Sequence, residues 1–160
     1  MSTASESPRA PRPQTPAANR PPAPRAPSVD SRPSILAVAL LALAAYHFVV
    51  AALMIFTPHF FFSNVGPFGL QNDHYLRDTA TFNLAFGASL LLAYRRPSWR
   101  TPILFCVTLQ FALHAINHLA DIGAAHPHWL GPFDFASLAL ATAALAWLTR
   151  ESTRPLELQR

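Results

Sequence analysis

Lysine is absent from this chain of 160 residues, cysteine occurs once, and acidic residues number only eight. Each scarcity removes a class of function. The lone Cys106 can form neither an intrachain disulfide nor a CxxC pair, which excludes dithiol redox chemistry within the chain. It lies inside an apolar run, where a free thiol is expected to pack as a small hydrophobic core residue. Charged residues make up 12% of the chain, about half of what a soluble domain carries. All 12 basic residues are Arg, and the pI is near 10.2. No segment joins a basic patch to base-stacking aromatics, so nucleic acid is not an expected partner.

Apolar residues, at 51%, are abundant instead, and they are concentrated in four runs. The runs cover about Ile35 to Phe56, Asp78 to Tyr94, Pro102 to Asp121 and Pro132 to Leu148. Each is long enough at about 1.5 Å per residue to cross a hydrocarbon layer of about 30 Å. None has the charged face that a helix of a soluble bundle shows to water. The expected fold is all-α, a four-transmembrane-helix bundle over residues 34–150. Thr101 and Pro102 read as the cap and first position of the third helix. Residues 1–33 hold nine of the 16 prolines and five Arg, and are expected to form a disordered cytoplasmic tail. Residues 151–160 form a second tail.

Arg placement gives an orientation. Five Arg lie in the first tail, three in the 95–101 loop and three from Arg150 onward, whereas the other two loops share Arg77 alone. The positive-inside rule then places both termini and the middle loop in the cytoplasm of a plasma-membrane protein. Arg95, Arg96 and Arg100 would contact an anionic inner leaflet. The first outer loop carries Phe60, Phe61, Phe62 and Phe68, and is expected to lie in the outer interface or to fold back over the bundle.

The third segment carries polar residues at depth. Gln110, His114, Asn117, His118 and Asp121 fall within an arc of roughly 100° on a helix, forming one stripe. Lipid cannot satisfy such groups, so the stripe must face the bundle interior, a cavity or a partner chain. Arg77, Asp78, Asn83 and Asp134 are expected at the same outer level, with His47 deeper on the first helix. These ten residues are the candidate ligand-binding set. His114, His118 and Asp121 have a spacing that can hold a divalent metal such as Zn or Fe. Titratable groups at graded depths can also relay protons, although the inner half offers almost none. A hydrogen-bonded network between helices, or a stripe packed on another membrane chain or a second copy, uses the same residues structurally. Thr81, Ala85 and Ser89, with Ser137 and Ala141, read as small-residue ladders for close helix approach.

The stretch from Asn72 to Trp147 contains NDHYLRD, RRPSWR, HAINHLADIG and WLGPFDF. With these motifs it resembles a group of small, mostly uncharacterised four-helix membrane proteins of high-GC actinobacteria, itself distantly similar to the DoxX-like bundles. That resemblance implies a membrane bundle with an accessory role in redox or stress physiology, and no catalytic residues. The reading that follows is a membrane protein with an outward-facing polar pocket for a small polar ligand, a lipid headgroup or a metal. A structural or accessory subunit is the alternative, and a metal-dependent membrane enzyme the third.

Overall fold

A computed structural model of the protein describes residues 34–155. The expected tail at 1–33 and the last residues, 156–160, lie outside the described residues. The described chain is helical throughout, in the order α1 (Ile35–Phe56), α2 (Pro58–Asn64), α3 (Asp73–Arg95), α4 (Arg100–Ala120) and α5 (Leu130–Ser152). A single 3-10 turn, Pro97–Trp99, leads into α4.

Local chemistry accounts for the helix ends better than apolarity does. Ser34 caps α1, its hydroxyl accepting from the Ala37 amide at 3.2 Å. Asn72 caps α3 through a bond from the Tyr75 amide at 3.1 Å, and Asp73 follows where the helix dipole favours an anion. Arg77 and Asp78 therefore sit in the second turn of α3 instead of opening it. Thr101 is not the cap of α4, which begins at Arg100. Its hydroxyl instead meets Ser152 Oγ of α5 at 2.9 Å. Pro132 lies in the first turn of α5, where its missing N–H costs no intrahelical bond.

Three helical stretches, Ile35–Phe56, Pro97–Ala120 and Leu130–Ser152, are long and apolar enough to cross a membrane. Helix α3 matches them in length at 23 residues but falls short in apolarity, because Asp73, His74, Arg77, Asp78 and Asn83 dilute it. Large apolar side chains such as Val49, Phe82, Leu113, Ile116 and Leu140 are exposed on the outside of the bundle. So many large apolar side chains on the exterior suit hydrocarbon, not water. Cys106 belongs to that exterior: it is exposed on α4 and is not the core residue expected from its apolar neighbours.

The helices pack as two pairs, α1 with α3 and α4 with α5. In lipid, apolar burial supplies little drive for association, so close packing and interhelical hydrogen bonds must hold the pairs. On α1 and α3 the buried small residues are Ala44 and Ala51, and Ala80, Gly87 and Ala93. A methyl added at Gly87 would lie 2.9 Å from Phe48 Cε1, so glycine permits the approach. The expected ladder is not the contact face, since Thr81 and Ala85 are exposed and Ser89 is half-buried. On α4 and α5, Thr108 and Thr149 hydroxyls meet at 2.9 Å, alongside the Thr101–Ser152 bond.

The main core, including Leu36, Leu40, Leu90, Leu104, Val107 and Leu145, joins all four long helices towards the end bearing the 96–99 turn. The Phe-rich segment folds back as α2 at the other end. Phe61 is buried there against Ala51, Met54 and Ala80. Gly69, at φ 67°, supplies the left-handed turn that returns the chain towards α3.

Candidate functional site: a polar cavity between the helix pairs

The second core cluster draws its residues from α1, α2 and α3 only. Helices α4 and α5 contribute nothing to it, and the space left between the pairs at that end is a cavity of about 350 Å³. Tyr46, His47, Val50 and Met54 of α1 line one wall, with Thr79 and Asn83 of α3. Gln110, Phe111, His114 and His118 of α4 face them, with Asp134, Ser137 and Leu138 of α5. Phe61, Val65, Gly66 and Phe68 complete the lining.

Hydrogen bonds fix the polarity of one wall. Asn83 Nδ2 donates to the Thr79 carbonyl at 3.2 Å, which leaves its Oδ1 as an acceptor facing His47 Nδ1 at 2.9 Å. Nδ1 must then carry the proton, so Nε2 of neutral His47 is a lone-pair acceptor. Nε2 is buried and has no partner among the described residues, in a side chain only 2% exposed. The ring is boxed by Tyr46, Phe86 and Phe111, with centroids 5.3, 5.5 and 6.0 Å away.

On the opposite wall, His114 and His118 meet through their Nε2 atoms at 3.0 Å, one donating and the other accepting. This leaves His118 Nδ1 buried without a partner among the described residues. Phe68 stands edge-on to His118 at 4.9 Å and 86°. Asp134 is within electrostatic range of His118, yet its Oδ2 is also buried and unpartnered among the described residues.

Six of the ten sequence candidates therefore converge: His47, Asn83, Gln110, His114, His118 and Asp134. Arg77, Asp78, Asn117 and Asp121 do not line the cavity and are exposed. Asp78 pairs with His74 at 3.4 Å on the exposed surface, not with Arg77. Asn117 lies at the far edge of the stripe. Asp121 is the C-cap of α4, where the backbone has left the helix at φ −103° and ψ 22°. The set His114, His118 and Asp121 is accordingly not assembled, and no group of three or more His, Cys, Asp or Glu among the described residues is arranged to hold a metal.

Tyr46, Phe61, Phe68, Thr79 and Phe111 also line the cavity, beyond the ten candidates legible in the sequence. Thr79 precedes Asn83 by one helical turn and was a findable neighbour, as was Ser137 after Asp134. The aromatics carried no such signal, because phenylalanine at these depths is equally suited to lipid. A second, shallow groove on the outer face of α4 is lined by Cys106, Leu109, Gln110, Leu113 and His114. No protein-family model, curated protein or solved structure matches the chain.

Proposed function

We propose that this chain is a four-span protein of the bacterial plasma membrane, with both termini in the cytoplasm, whose cavity is an outward-opening pocket for a small polar ligand. The observation that carries the reading is the set of buried, unpartnered polar atoms on three cavity-lining residues, His47, His118 and Asp134. Inside a bilayer such groups are costly unless they serve a ligand, water or a partner chain. Three unpartnered atoms at depth are a poor return for a structural network, since membrane hydrogen bonds average only about 0.6 kcal/mol.

The fourth span is α3. Its charged residues occupy the first two turns and the last residue, so that Thr79 to Tyr94 is free of charge. Asn83, the one amide in that stretch, is satisfied by His47 and Thr79. Arg95, Arg96, Arg100 and Arg150 cluster at the end opposite the cavity, which supports an outward opening under the positive-inside rule.

The second reading, an accessory subunit docked on a partner chain, draws on exposed Asn117 and on the groove along α4 that Gln110 and His114 share with the cavity. A metal-dependent enzyme has no convergent ligand set among the described residues to support it.

Melting of the purified full chain in lipid nanodiscs, against a panel of small polar solutes, tests the pocket. A stabilising solute should act on the wild type and lose its effect in Ser137→Phe, whose ring fills the cavity. Equal stabilisation of both proteins would place the binding elsewhere.

A further inference from the structure

Two of the buried side-chain atoms at this cavity that have no partner among the described residues are acceptors. His47 Nε2 is one, by the Asn83–Thr79 chain that protonates the opposite ring nitrogen. The Asp134 carboxylate is another, with Oδ2 unpartnered among the described residues. Among the described residues no Arg lines the cavity, and Asp134 is the one acidic lining residue. A phosphate or carboxylate ligand would therefore meet these acceptors and a like charge, with no guanidinium among the described lining residues to receive it. Aromatic rings supply much of the remaining wall: Tyr46, Phe61, Phe68 and Phe111. Their negative faces attract cations, most strongly in a site sheltered from water.

We infer that the pocket recognises a small organic ammonium carrying N–H donors, seated on Asp134 and hydrogen-bonded to His47 Nε2. This rests on the proposed pocket and narrows its ligand from small polar molecules in general to primary or secondary amines. Charge selects at Asp134, and donor geometry selects at His47. The aromatic walls hold the carbon chain. Both unpaired acceptors are then satisfied by one ligand, which relieves the desolvation cost of leaving them bare.

Three probes separate charge from donor capacity: butylammonium has both, 1-butanol is a neutral donor, and tetramethylammonium is a cation without N–H. Binding to the full chain in nanodiscs is read by calorimetry or saturation-transfer NMR, with Ser137→Phe as the blocked control. Butylammonium should bind at least about tenfold more tightly than either other probe, and Asp134→Asn should weaken it by at least about tenfold. His47→Phe should weaken butylammonium while leaving tetramethylammonium unchanged, because only the donor contact is lost. Asp78→Asn, at the exposed surface outside the cavity, should leave all three unchanged. The probe series needs no variant, so it decides even where Asp134→Asn does not fold.

Butylammonium binding no better than 1-butanol overturns the inference. If 1-butanol or inorganic phosphate then binds, and Ser137→Phe abolishes that binding, the pocket stands while its ammonium selectivity falls. If no probe, phosphate included, distinguishes wild type from Ser137→Phe, the pocket falls with it. Discs of phosphatidylglycerol alone, compared with discs containing phosphatidylethanolamine, identify the source. Competition by phosphatidylethanolamine assigns the ammonium to a lipid headgroup, and unchanged binding assigns it to a free amine; both outcomes uphold the ammonium.

Discussion

His47 of α1 and Asn83 of α3 meet ring to amide at 2.9 Å, and this bond joins one helix pair while setting the free nitrogen of a cavity-lining imidazole. Packing and site chemistry are thus coupled through two residues. A double-mutant cycle of His47→Ala and Asn83→Ala on unfolding in detergent should give a coupling energy of about 0.6 kcal/mol, with about 1.7 as the upper end for membrane hydrogen bonds. Strictly additive effects would show that the pair does not interact.

Gly131 and Gly123 should respond oppositely to the same change. A methyl at Gly131 would collide with the Ile122 backbone carbonyl, which cannot yield without moving the chain between α4 and α5. A methyl at Gly123 meets nothing within 4 Å. Gly131→Ala is expected to destabilise by about 1–3 kcal/mol, the range for overpacking, and Gly123→Ala to change little. Thermal or denaturant melting of the two variants side by side checks the contrast.

The α1–α3 interface should reject bulk at Gly87 in proportion to size. Gly87→Leu drives its side chain into Phe48 and is expected to destabilise by about 1–3 kcal/mol. Phe48→Ala should return part of that loss in the double variant, because the space in dispute is the Phe48 ring. Independent, additive losses on melting would place the Gly87 contact elsewhere.

How far the sequence revealed this arrangement depends on which physical force set each feature. Long apolar runs betray helices because hydrocarbon tolerates no unpaired backbone, and α1, α4 and α5 follow. The start of α3 was harder, since its first turns are polar and the signal there was a cap, Asn72, rather than apolarity. Polar residues at depth stood out for the same solvent reason, so His47, Asn83 and His114 were visible as candidates. Their convergence was not visible, because it depends on which helix faces pack, and that is set by contacts such as Ala51 with Ala80 and Phe48 with Gly87 across the α1–α3 interface. On α4, Cys106 and Asn117 are likewise exposed. An apolar run cannot say which of its faces lipid covers.

Ser137 lines the cavity yet is exposed, so a cysteine there reports which side of the membrane the pocket meets. In a Cys106→Ser background, Ser137→Cys should react with a charged, membrane-impermeant maleimide applied to intact cells from outside. Reaction only after the cytoplasmic face is opened would contradict the outward-facing pocket on which the account depends.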